Sequence, residues 1–187
     1  MEGRILKAKL ERLLLEEHSR ARTEEVAMLI GGNADHFEIA WDIFCNSAPP
    51  LPQRMAWVLT VVTDAHPSLA VRYAASLAAR LPYLVHPAEV RAALRILMST
   101  EIPTQSVGEL VQCLYPWLED PKLPAATRVF SMQILYNISN LEPELKRELA
   151  FVIETRAQEA SPAFKARART ILPKLRREMS RMEKSLS

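Results

Sequence analysis

Residues 86–99 read HPAEVRAALRILMS. Pro87 suits the first turn of a helix, where its missing N–H costs nothing. The following apolar residues recur at helical spacing and interleave with Arg91 and Arg95. Stepping from Arg91 in units of 37 places Arg54, Arg91, Arg128 and Lys165 in one column. Four residues before each stand Pro50, Pro87, Pro124 and Ser161, with Pro162 next to the last. Six residues after come Thr60, Leu97, Ile134 and Ile171, and seven after come Val61, Met98, Leu135 and Leu172. Agreement of several columns over four copies is an internal period, and a period of this size means stacked supersecondary units.

Each unit reads as two helices. The spacing predicts cationic helices over 51–65, 88–99, 124–140 and 162–182, with Pro173 bending or interrupting the last. It predicts partner helices over 67–81, 104–119 and 143–159, the second capped by Thr104. A further helix over 34–46 pairs with the first cationic one. The first thirty residues fall outside the period. Ile5, Leu6, Leu10, Leu13 and Leu14 mark one amphipathic helix, and Thr23 is expected to begin a second, with Glu24 and Glu25 in its first turn. An atypical terminal unit is what a repeat array needs to cover its open end.

Composition agrees with an all-helical chain. Of 187 residues, 49% are apolar and 25% charged, with only four Gly and thirteen Pro. Few glycines leave little material for phosphate-cradling loops, and many prolines in a helix-forming background suggest short helices with sharp starts. No apolar run approaches the length of a membrane span. The charged N-terminus does not resemble a secretory signal, and Cys45 and Cys113 are isolated thiols that suit the core of a cytoplasmic protein.

PAEVRAAL at 87–94 resembles the second helix of a HEAT repeat, with Pro, then Val-Arg, then small residues and Leu. LAVRYAASL at 69–77 is a partial echo of it. The resemblance covers residues 34–182. It implies an all-α, right-handed α-α superhelix of the HEAT/armadillo-like solenoid class, with about ten helices and the second helices lining the inner surface. On this reading residues 1–187 form a single domain: an N-terminal helical cap over 1–32, about four helix pairs over 34–182, and a tail over 183–187.

In HEAT arrays the column arginine commonly pairs with an Asp some six residues earlier. Here those positions hold Ala48, Val85, Lys122 and Glu159, so helix-end carbonyls are the expected partners instead. A sharper reading adds the residues four and eight places on, which share the helix face. These are Val58 and Val62, Arg95 and Ser99, Met132 and Tyr136, Arg169 and Pro173. Stacked, they would form a stripe that grows more basic toward the C-terminus. Between Ser161 and Ser187 eight basic residues face two acidic ones, a net of +6 in a chain of net +2. The candidate contacts for an anionic partner are therefore Arg54, Arg91, Arg95, Arg128, Lys165 and Arg169.

No catalytic, cofactor or metal site is visible. His18, His36, His66 and His86 are scattered, and only His86 has a potential metal ligand, Glu89, at helical spacing. No nucleophile-elbow, Walker, dinucleotide-binding or zinc-protease pattern appears. A bacterial family of HEAT-like alkylpurine DNA glycosylases uses inner-surface aromatics and an Asp. Only Trp57 lies on a cationic helix here, its column otherwise holds Leu94, Ser131 and Ala168, and Asp64 cannot be matched to that family's acid. Trp41, Trp57 and Trp117 therefore read as packing anchors. The C-terminal helix mixes Phe164, Ile171, Leu172, Leu175, Met179 and Met182 with basic residues, which fits a terminal cap better than a membrane-surface helix. The leading expectation is a non-enzymatic binding module or scaffold that presents its inner helix surface to a protein. The alternative is a nucleic-acid-binding protein with a basic stripe, extending to a divergent repair glycosylase.

Overall fold

The computed structural model describes residues 2–185, and among these it contains helices and turns but no strand. Eleven α-helices follow one another: α1 (Glu2–Glu16), α2 (Arg20–Ile30), α3 (Ala34–Asn46), α4 (Leu51–Ala65), α5 (Ser68–Val71), α6 (Ala74–Arg80), α7 (Pro87–Met98), α8 (Val107–Glu119), α9 (Ala125–Ile138), α10 (Leu145–Ala157) and α11 (Pro162–Ser185). The all-α class and the HEAT-like pairing read from the sequence are both found. The helices pack as two compact units, Met1–Glu101 and Ile102–Ser187.

Local sequence sets most of the helix boundaries. Ser19 caps α2 by accepting the Arg22 N–H, and Asn33 caps α3 by accepting those of Asp35 and His36. Between these helices Gly31 takes a φ of +53°, a left-handed conformation that costs glycine least, and closes α2 by donating its N–H to the Ala27 carbonyl. His86 caps α7 through its ring nitrogen, ahead of Pro87 at the first helical position.

In the first unit α4 is the central helix, packed against α2, α3 and α7, while α1 packs on α2, α3 and α4. Met55, Ala56, Val58, Leu59 and Val62 of α4 are all essentially inaccessible. In the second unit α8 packs on α9, α10 on α11, and α9 on α11. Thr60, Leu97, Ile134 and Ile171, the column six residues beyond the cationic one, are buried in all four copies. That column is the core stripe of the repeat.

Several boundaries differ from the sequence reading. The second helix starts at Arg20 rather than Thr23, because Ser19 supplies the cap; Thr23 instead donates its hydroxyl to the Ser19 carbonyl. The expected partner helix over 67–81 is divided at Arg72–Tyr73 into α5 and α6. At that break the Tyr73 ring lies against Phe37 and Trp41, at centroid distances of 5.3 and 4.7 Å. Thr104 opens a single 3-10 turn and does not cap α8, which begins at Val107. Pro173 does not interrupt α11. It sits on the exposed side, where water can satisfy the carbonyl it leaves unbonded, while Ile171 and Leu175 on either side are buried. The helix also continues through Ser185, into the segment read as a tail; Leu186 and Ser187 of that tail lie outside the described residues.

The C-terminal half of α11 is fixed by a polar network. Glu178 accepts bonds from the Tyr136 hydroxyl at 2.7 Å and from Lys146 Nζ at 2.8 Å, and Lys146 also donates to the Asn140 side chain at 2.9 Å. Lys146 is buried, so its charge is sustained by these partners. Burial alone would push the Glu178 carboxyl up, but the bonds from Lys146 and Tyr136, aided by nearby positive charge, more than offset this and hold it below its ordinary value. The network therefore stabilises the fold fully above the ordinary carboxylate range and loses that contribution as pH falls through the depressed Glu178 value. Urea unfolding should show Glu178→Gln to cost about 3 kcal/mol at neutral pH. The variant should also show a shallower loss of stability on acidification than the parent.

Candidate functional site

The column residues meet very different surroundings. Arg54 donates from α4 to the carbonyls of Leu14 and Leu15 at the end of α1. Arg128 donates Nε–H from α9 to the Leu118 carbonyl at the end of α8, at 2.9 Å, and its guanidinium lies 4.6 Å over the Phe164 ring. A third arginine outside the column does the same work: Arg80 of α6 donates to the Cys45 carbonyl near the end of α3, at 3.1 Å. Each satisfies a carbonyl that the helix itself leaves without a partner.

The remaining cations divide again. Arg95 grips Asp64 of α4 through two bonds, of 2.6 and 3.3 Å. Arg91 and Arg169 are exposed and Lys165 is half-buried, and the side chains of all three make no hydrogen bond or ion pair among the described residues. Arg91 belongs to the first unit, Lys165 and Arg169 to the second. The expected stripe is corrected at its other positions: Val58, Val62 and Met132, four or eight residues beyond the column, are core residues. In α4 and α9 that face is covered by neighbouring helices and so cannot line a surface.

On the face formed by the second helices of the first unit, α2, α4 and α7 enclose a cleft of about 530 Å³. Trp57 and Val61 supply its apolar wall from α4, with Thr60 beside them. Trp57 retains 37% of its surface, although its repeat-column equivalents Leu94, Ser131 and Ala168 are buried. The His18 ring meets it edge-on, with centroids 6.1 Å apart and planes at 89°. The rim is charged but balanced. Arg20 pairs with Glu24 at 2.7 Å on α2, and Arg95 pairs with Asp64 at 2.6 Å between α7 and α4. In the sequence Trp57 reads as a packing anchor because its column mates are core-like. The signal that reading passes over is the spacing of Trp57, Val61 and Asp64, which puts one aromatic, one aliphatic and one acid along a single face of α4.

Other candidate chemistry is dispersed. Among the described residues no cluster of His, Cys, Asp and Glu has the makings of a metal site. Cys45 and Cys113 are unpaired and half-buried, and burial pushes both thiols up, that of Cys113 to about 11. Among the described residues no helix is long and apolar enough to cross a membrane. In α11 the apolar residues Phe164, Ile171 and Leu175 are spent on the core of the second unit.

The model of the HEAT repeat domain matches residues 10–175. The chain belongs to the HEAT repeat family. No curated protein and no solved structure matches it. The family match takes in α2 and residues 10–16 of α1, which the 37-residue period leaves out. Membership makes the chain a helical-repeat scaffold, and such repeats commonly mediate protein interactions.

Exposure and partnering separate the column residues by experiment. Arg54→Gln should cost about 1.5–3 kcal/mol in urea unfolding, because a charged donor to helix-end carbonyls is lost. Arg91→Gln should change stability by less than about 0.5 kcal/mol, as is usual for a surface residue without partners.

Proposed function

We propose that the chain is a non-enzymatic binding module whose α2–α4–α7 face receives a segment of a protein partner in the Trp57 cleft. The observation that carries this reading is an exposed tryptophan in a cleft on the face where HEAT repeats present their second helices. A large aromatic in a concave site, ringed by polar groups, is the arrangement that concentrates binding energy at protein interfaces. The balanced rim favours the same reading. Arg20 and Arg95 already face carboxylates, so the cleft offers no net positive field to a polyanion. The unpaired cysteines fit a reducing compartment, and we place the protein in the cytoplasm on that ground.

The reading is tested by placing a photo-crosslinking amino acid at Val61, identifying the captured protein, and measuring its affinity for the purified chain. Trp57→Ala should weaken that affinity about thirtyfold or more, as loss of a hot-spot aromatic does. Arg169→Gln, in the other unit, should leave it unchanged. Fluorescence anisotropy with labelled DNA and RNA decides between this reading and the nucleic-acid one. Affinity that collapses with rising salt and disappears when Arg91, Lys165 and Arg169 are all changed to Gln would replace the protein-partner reading with a nucleic-acid one.

A further inference from the structure

The second unit contains a buried cation whose hydrogen-bonding capacity is largely unspent. Arg128 is only 6% exposed. Its Nε–H is taken by the Leu118 carbonyl and one face of its guanidinium by the Phe164 ring. Its two terminal nitrogens make no hydrogen bond to a described group but keep access to solvent, and no carboxylate forms an ion pair with it among the described residues. An arginine carries five N–H donors, so four remain here.

The same residue lines a cleft of about 240 Å³ together with Thr155, Arg156 and Gln158 of the neighbouring segment. Glu119, Pro121 and Glu159 complete the lining. Glu119 is engaged by Arg156 at 2.5 Å and so does not reach Arg128. Burial, reinforced by the like charge of Arg156, pulls the Arg128 guanidinium below its ordinary value, with Asp120 offsetting part of the effect. Burial outweighs the compensating charge of Asp120.

We infer that this cleft is a carboxylate-binding site, in which the terminal nitrogens of Arg128 hold a single carboxylate group by two parallel hydrogen bonds. The fork of an arginine matches the two oxygens of a carboxylate. The cleft is large enough for one small polar group and too small for a folded element. Its charge selects among oxyanions. Arg128 is the cation there without an ion-paired acid; Arg156 neutralises Glu119, and Glu159 would oppose a phosphate dianion more strongly than a single carboxylate. The carboxylate is either free in solution, carried on an acidic side chain, or the C-terminus of a peptide. The site lies in the second unit and does not rest on the reading of the Trp57 cleft.

The test is a titration of the full, isotope-labelled chain followed by NMR at the Arg128 Nε–H and at the Thr155 and Gln158 amides. The probes are sodium acetate, acetyl-Gly-Glu-Gly-amide and acetyl-Gly-Gly with a free C-terminus, with sodium chloride and sodium phosphate at matched ionic strength as controls. At least one carboxylate probe should give saturating shifts in the millimolar range at all three reporters, and the probe that saturates earliest identifies the source. Shifts that merely follow chloride, or phosphate saturating before every carboxylate, would overturn the inference. Arg128→Lys keeps the charge but not the fork and should abolish saturation with helix content unchanged; saturation that persists counts against the site. Should that variant lose helix content, Glu159→Gln decides. This surface change removes an opposing charge and should raise acetate affinity about threefold, in the range of exposed charge interactions. An unchanged or weaker affinity refutes the proposal.

Discussion

A helix buried at its end must find partners for carbonyls that its own geometry leaves bare, and in this chain arginines from other helices supply them. Arg54, Arg80 and Arg128 each cross to the end of a helix other than their own. Their long apolar stems let them lie among core side chains while the guanidinium reaches a polar end. The bond ties two helices at a defined height along their axes, something apolar packing alone specifies weakly. It also removes Arg54 from ordinary surface chemistry and leaves Arg128 only its terminal nitrogens. Whatever the protein binds must be recognised with what is left.

What is left differs between the two units. In the first, the exposed charges around the cleft are already matched as Arg20–Glu24 and Arg95–Asp64, and the distinctive feature is an aromatic surface. Exposed pairs of this kind contribute little to stability, about 0–1 kcal/mol each. They can, however, fix the orientation of a partner whose apolar contact is made with Trp57, because a rim of mixed charge accepts only one complementary pattern. In the second unit the distinctive feature is the opposite, a buried cation with donors to spare. On the two proposals made above, one chain offers two recognition chemistries on helices that occupy equivalent places in the period.

Much of the fold was legible because helix termini and repeat columns are written in local residues. Pro50, Pro87 and Pro124 mark where α4, α7 and α9 begin to within a residue or so, and the core column after each column cation is buried in every copy. The site was less legible, and Arg91 and Arg128 show why. They occupy the same column, yet one is exposed without a partner and the other is buried against Phe164 and Leu118. Periodicity assigns a face of a helix; it does not say whether another helix covers that face. The same limit explains Trp57, exposed where its column mates are core, and Val58 and Met132, buried where a surface stripe was expected.

Tertiary contacts also decide what the basic C-terminal segment can do. Counted along the sequence it is a run of positive charge, but in the fold much of that charge has a local use. Arg167 donates to Gln133, Lys174 lies 5.7 Å over the Tyr136 ring, and Arg176 pairs with Glu154. The ends of the segment are anchored by Phe164 in the core and by Glu178 on Tyr136 and Lys146. A helix held at both ends and along its length behaves as a structural element of the second unit rather than as a free polybasic arm. Since Phe164 also carries the face of the Arg128 guanidinium, the docking of α11 sets the position of the buried cation. The packing that closes the core of the second unit is thereby the packing that positions its buried cation.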